Sequence, residues 1–118
     1  DEVGVGVVLS LPPYLQSHAK TEEVVGVPVW GVSPSIEERV HFAEGMMDKG
    51  QLASAGGYVC IVTGSGDTVS AARGQAYRTA ERIQFPIKAQ YRIDIGARLA
   101  RQLGQLHGFG FAKGLTYS

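Results

Sequence analysis

The run Val62-Thr63-Gly64-Ser65-Gly66-Asp67 has the residue types of a phosphate cradle. An apolar stretch leads into it, two glycines lie within it and a helix-like pattern follows. Free N–H groups at a helix start attract anions, and glycines let a phosphate approach the backbone. The spacing argues against that chemistry. The dinucleotide pattern needs a third glycine where Val69 stands, and the Gly-Lys-Ser/Thr of a P-loop is absent. Asp67 would also set a carboxylate where the phosphate belongs. A strand-to-helix turn capped by Asp67 fits better. The other Gly-x-Gly, Gly4 and Gly6, lies inside a strand pattern and is a weaker signal still.

A second run, Tyr91-Arg92-Ile93-Asp94-Ile95-Gly96-Ala97-Arg98, places two guanidiniums and a carboxylate around an expected helix start. Gly96 in a first turn lowers helix propensity, which points to a close neighbour, backbone or ligand. Arg92 and Arg98 could clamp a carboxylate or phosphate, or pair with acids on a neighbouring domain. Alternatively Asp94 is a plain cap and both arginines are solvated; the spacing leaves both readings open. His18, His41 and His107 are far apart, and no His-x-x-x-His or cysteine pair supports a metal site. Cys60 stands alone in Tyr58-Val59-Cys60-Ile61-Val62 with no basic neighbour, which describes a buried, inert thiol.

The elements that must position these groups follow from periodicity. Residues 3–9 are rich in valine and end at Pro12-Pro13, as a strand with a forced stop does. Residues 15–23 read as a surface loop, and 24–30 as a short extended piece that Pro28 confines to an edge or excludes from a ladder. Residues 39–46 and 51–54 flank Asp48-Lys49-Gly50, the signature of a tight hairpin. Gly56-Gly57 breaks the second arm as a bulge or a point of close approach. Residues 58–63 are apolar on both faces, as in a central strand covered on both sides. Val69, Ala72, Ala76, Ala80 and Ile83 then recur at helical steps, with Arg73, Gln75, Arg78 and Arg82 turned elsewhere, and Pro86 ends the pattern. A second helix is expected from about Asp94, with Ile95, Leu99, Leu103 and Leu106 inward and Gly108 as its stop. Residues 107–118 show no period and read as a tail beyond a domain of residues 1–106.

A chain of 118 residues with 44% hydrophobic and 19% charged content suits one ordinary folded domain. Eleven basic residues balance eleven acidic ones and the charges are scattered, so nothing selects nucleic acid or an anionic membrane as partner. No apolar run approaches the roughly 20 residues a membrane-spanning helix needs. The opening residues lack a basic n-region, and a single cysteine fits the cytoplasm. A chain that enters a strand almost at once, with no initiator Met, reads as an excised domain.

Taken in order, several of these runs resemble one family. They are Asp48-Lys49-Gly50-Gln51-Leu52, Ser54-Ala55-Gly56-Gly57-Tyr58-Val59-Cys60-Ile61-Val62-Thr63, Gly66-Asp67-Thr68, Ala76-Tyr77, Ile83-Gln84-Phe85 and the Tyr91 to Arg98 run. Their order and spacing are similar to the C-terminal domain of phosphoribosylamine–glycine ligases, enzymes of the ATP-grasp class. The resemblance implies an α+β fold: a small antiparallel sheet, barrel-sandwich-hybrid-like as in the biotin carboxylase C-terminal domain, with two flanking helices. It implies an enzyme of purine biosynthesis that joins glycine to 5-phosphoribosylamine with hydrolysis of ATP. ATP and Mg²⁺ would be held by domains outside this segment, leaving it with no cofactor and no catalytic residue of its own.

On the same resemblance, the partners are the N-terminal and ATP-grasp domains of one chain, and the full-length enzyme is expected to be monomeric and cytoplasmic. Gly56, Gly57, Tyr58, Arg92, Asp94 and Arg98 are the expected substrate-side or interdomain contacts. Three departures stand out. Phe42-Ala43-Glu44-Gly45 replaces the family's His-Ala-Gly-Thr, Tyr58 replaces an arginine after Gly-Gly, and Pro13-Tyr14-Leu15 replaces Gly-Tyr-Pro. They keep two alternatives in view: a divergent ATP-grasp carboxylate–amine ligase with another substrate, and a non-catalytic interaction module.

Overall fold

Alternation builds the first strand. In β1, Val3–Ser10, Val3, Val5, Val7 and Leu9 are buried while Gly4, Gly6 and Val8 face outward, the two-residue period of a sheet with one face on the core. The computed structural model describes residues 2–11, 25–86 and 91–118. The expected loop at 15–23 and Pro13-Tyr14-Leu15 lie outside the described residues.

The remaining described elements run in the order β2 (Val40–Phe42), β3 (Gly45–Asp48), β4 (Gln51–Ser54), β5 (Tyr58–Gly66), α1 (Val69–Arg82) and α2 (Leu99–Gly108), with a 3-10 turn at Glu37–Arg39 before β2. They form two antiparallel sheets: β1-β5-β2 and the hairpin β3-β4. The α+β class with antiparallel strands and two helices is therefore the observed one.

β5 is central in its sheet. Its register sets Val62 opposite Val7 on one side and Val40 on the other. On that face α1 lays down Val69, Ala72, Ala76 and Ala80, all buried, with Ile83 just beyond its end. Burying each of the larger side chains contributes roughly 1.5–3 kcal/mol. Small residues on α1 let its backbone come very close to β5. A Cβ at Gly64 would meet the Ala72 carbonyl and the Ala76 amide. The opposite face of the sheet is only half covered: Ile61 and Thr63 are half-buried, and His41 is exposed beside Thr63. The reading of β5 as covered on both faces holds only near its start, where Val59 and Cys60 are both fully buried, and is corrected at Ile61 and Thr63, where α1 covers one face only.

Other boundaries differ from the sequence reading for identifiable reasons. Residues 39–46 do not form one strand. The chain leaves the 3-10 turn, pairs with β5 for three residues, then crosses to the second sheet through Ala43 and Glu44, whose amides both bond to the Val59 carbonyl. The hairpin itself is as expected: Lys49 and Gly50 both have positive φ, 52° and 80°, the two-residue turn whose twist suits antiparallel strands. Pro28 takes part only in an isolated bridge to Ala53, consistent with its missing N–H.

The α1 cap is Thr68, not Asp67: the Thr68 hydroxyl accepts the Ala71 amide at 3.1 Å, and Asp67 is exposed. The next amides, Val69 and Ser70, donate to the carbonyls of Thr116 and Tyr117 at 2.9 and 2.6 Å. The last residues of the chain thus complete the start of α1, with Leu115 and Tyr117 packed against the core. α2 begins at Leu99 rather than at Asp94. Residues 95–98 form a turn, Arg98 occupies the cap position without a side-chain bond, and the Asp94 carboxylate is engaged by Arg92.

Candidate functional site

Gly56, Gly57 and Tyr58 lie where β4 hands over to β5. The turn is pinned from both sides: Leu11 donates its amide to the Gly57 carbonyl at 2.8 Å, and Ala55 donates to the Glu44 carbonyl at 2.6 Å. The Glu44 side chain folds over the turn, its Oε1 accepting the Tyr58 amide at 3.2 Å. Gly56 is buried beneath that carboxylate, and a Cβ there would collide with it. The space above this glycine is filled by a side chain of the same domain, the Glu44 carboxylate.

Arg92, Asp94 and Arg98 form a separate group. Arg92 grips Asp94 with two parallel bonds, Nε to Oδ1 at 3.0 Å and Nη2 to Oδ2 at 2.8 Å. Both side chains are exposed. The hydrogen bond from Arg92 holds the Asp94 carboxyl below its ordinary range, against a smaller desolvation that raises it, and the Arg92 guanidinium is correspondingly harder to deprotonate. These two residues line a shallow open cavity of about 410 Å³ with Ile95, Gly96, Ala97, Arg98 and Arg101. Asp94 balances one of its three guanidiniums, so Arg98 and Arg101 leave the cavity cationic. Such a surface can bind a carboxylate or phosphate, or the acidic side chains of another domain.

The supports of this segment come from α1. Arg73 donates Nε to the Ile95 carbonyl at 2.5 Å and Nη2 to the Ile93 carbonyl at 3.2 Å. The Tyr77 hydroxyl donates to the Arg92 carbonyl at 2.6 Å and accepts the Ile95 amide at 3.1 Å. Arg73 also lies over the Tyr77 ring, 5.5 Å from its centroid, and Gly96, at φ +78°, packs against Arg73 and Val69. Arg73 is turned away from the apolar stripe, as expected, and stacks with Tyr77 at the i, i+4 spacing of neighbours on one helix face. Arg101 was not anticipated either, because the expected helix placed it outside the Arg92 to Arg98 run.

The structure thus resolves six expected residues into two places rather than one. Tyr58 opens β5, while Gly96 packs beside Val69, just past the other end of that strand, about 26 Å of strand away. The glycine loop 62–67 is no phosphate cradle. Its following helix has its first amides taken by Thr116, Tyr117 and Thr68. Among the described residues no group of three or more His, Cys, Asp or Glu is placed to hold a metal ion. The residues present therefore fit neither a nucleotide phosphate nor a magnesium ion at that loop. Cys60 is buried in the core, and desolvation pushes its thiol up to about 12. Among the described residues no helix is long and apolar enough to cross a membrane.

The fold and site define a small α+β domain with a hairpin beside its main sheet, a glycine turn held under Glu44 and a cationic cavity. The chain belongs to the family described as phosphoribosylglycinamide synthetase, C domain, whose model matches residues 4–98. It is 38% identical over 102 residues to the phosphoribosylamine–glycine ligase of Pseudomonas aeruginosa, covering 86% of this chain and 23% of that protein. With the ligase of the same name from Mycobacterium tuberculosis it shares 36% over 100 residues, 85% of this chain and 22% of that protein. The crystal structure of the Thermotoga maritima phosphoribosylamine–glycine ligase superposes with a TM-score of 0.60 at 29% identity, over 78% of this chain and 21% of that one. The chain thus spans less than a quarter of the length of these relatives.

Proposed function

We propose that this domain serves a phosphoribosylamine–glycine ligase-type enzyme of purine biosynthesis, as a wall of the active-site cleft and a seat for the other domains. The observation that carries this reading is the family match across residues 4–98, joined to the shared fold. In the complete enzyme ATP, with Mg²⁺, would activate the glycine carboxylate as an acyl phosphate, and the amine of 5-phosphoribosylamine would displace phosphate to form the amide. Both would be bound outside this domain. Arg92, Asp94 and Arg98 supply charged groups on the domain surface for substrate or for a neighbouring domain, and Gly56, Gly57 and Tyr58 supply a rigid turn. The enzyme would work as a monomer in the cytoplasm.

The test is the full-length protein assayed for ATP hydrolysis. Hydrolysis that requires both glycine and phosphoribosylamine supports the reading; hydrolysis indifferent to either refutes the substrate assignment. The 118-residue chain alone should show no heat of ATP binding in calorimetry.

One observation favours a second reading, a related ATP-grasp ligase joining a different acid and amine. Glu44 and Tyr58 meet at the Gly56-Gly57 turn, two of the positions where this chain departs from the family's usual residues. A panel of amino acids and amines in the same hydrolysis assay separates the two readings.

A further inference from the structure

The segment carrying Arg92, Asp94 and Arg98 has little of its own to fix it. Ile93 is 78% exposed, the backbone of residues 96–98 makes only local turn bonds, and Tyr91, Ile95 and the following Leu99 pack only partly buried against the core. Among the described residues, the four hydrogen bonds that tie positions 91–98 to elements other than the adjoining α2 all end on Arg73 or Tyr77. Those two residues sit one turn apart on α1, beside the face that Ala72, Ala76 and Ala80 seal against β5. Tyr77 uses its one hydroxyl both to donate and to accept, closing a ring with Arg92 and Ile95 that only one spacing of the segment satisfies. Arg73 spans the carbonyls of Ile93 and Ile95 with two nitrogens, a fork a lysine cannot reproduce. The Arg92–Asp94 pair adds no anchor to the body, because both partners ride on the segment itself.

We propose that Arg73 and Tyr77 are positioning residues: they transmit the rigidity of the α1–β5 interface to the Arg92 to Arg98 segment and so fix the direction in which its guanidiniums face the cavity. The inference rests on the reading of that cavity as a substrate-side surface of the ligase. Neither residue need touch the ligand. Their role is to remove the freedom the segment would otherwise lose on binding, which strengthens binding without adding a contact.

Tyr77→Phe is the informative change, because it keeps the ring, the Tyr91 neighbour at 6.2 Å and the stacked Arg73, and deletes only the hydroxyl. In the 118-residue chain, amide exchange at Ile95 should accelerate about tenfold, the scale of one lost hydrogen bond. The amides of residues 72–80 should keep their protection, and the Arg92 and Arg98 side-chain N–H resonances should shift. Unchanged exchange at Ile95, or equal loss of protection along α1, overturns the proposal. In the full-length enzyme Tyr77→Phe should raise KM for one anionic substrate severalfold with kcat retained; a fall in kcat alone at unchanged KM also overturns it. Arg98→Ala, run in parallel, tests the underlying reading by itself. If that change leaves every KM untouched, the cavity does not face substrate, whatever the exchange data give for Tyr77.

Discussion

The Glu44 carboxylate closes over Gly56, so the space a side chain would need at that position belongs to another residue of the same domain. Gly64 is crowded for a different reason, because there the neighbour is α1 backbone at Ala72 and Ala76. The two glycines should therefore respond unequally to alanine. At Gly56 the flexible carboxylate can swing away, losing its bond to the Tyr58 amide at a cost of about 1 kcal/mol. At Gly64 the helix must lift off the sheet, a cost of about 3 kcal/mol. Urea unfolding of both variants measures this, and equal losses would show that Glu44 is held as rigidly as the helix backbone.

The start of α1 gives a second contrast. Asp67 and Thr68 are adjacent and both are good capping residues, but only Thr68 bonds an N–H of the first turn. Thr68→Ala should cost about 1 kcal/mol and Asp67→Ala close to nothing. Deleting residues 115–118 removes the partners of the Val69 and Ser70 amides together with the packing of Leu115 and Tyr117. Exchange at those two amides should rise sharply and the thermal midpoint fall; an unchanged midpoint would mean the final residues add nothing to the fold.

The same two positions show what the sequence can and cannot carry. Periodicity identified α1, because burial on one face imposes a repeat that any neighbour must respect; valine content marked β1, turn chemistry at Asp48-Lys49-Gly50 marked the hairpin, and a continuous apolar run marked the central place of β5. Which of two adjacent residues caps a helix depends on the angle at which the chain leaves β5, a tertiary property. The division into two sheets turns on Ala43 and Glu44 bonding to Val59, a contact 15 or more positions away with no local signature. Arg92, Asp94 and Arg98 were legible as unusual because they cluster in sequence. Arg73 and Tyr77 were not, since their partners lie some 15 to 22 residues on, and an arginine on a helix is most often solvated.

Cys60 should behave as an inert core thiol. Desolvation raises its pKa to about 12, so at pH 8 almost none is thiolate and an aromatic disulfide reagent should react only as fast as the chain opens. The linkage has a definite sign. In the unfolded chain the thiol ionises near pH 8.5, while the folded protein keeps its proton well beyond that. The unfolded state therefore binds fewer protons above about pH 9, and stability falls as the pH rises toward the folded value. Cys60→Ser should abolish that component of the alkaline decline. A decline that persists in full would assign it to other groups.

Asp94 works in the opposite direction. Its hydrogen bonds from Arg92 depress its folded pKa below the ordinary aspartate value of 3.8. The contribution is complete above about pH 5, where the carboxylate is ionised in both states, and is lost as the pH falls through the lower folded value. Both side chains are exposed, so the effect on global stability is small and screened by salt. The sensitive observable is the titration of Asp94 itself, followed by carbon NMR at its carboxyl. Arg92→Ala should move the midpoint up toward the ordinary range, and 1 M salt should shift the wild-type midpoint the same way by less, since the two short bonds persist. A midpoint unmoved by Arg92→Ala would mean that the pair does not hold in solution, and that Arg92 is as free as Arg98 to meet an incoming anion.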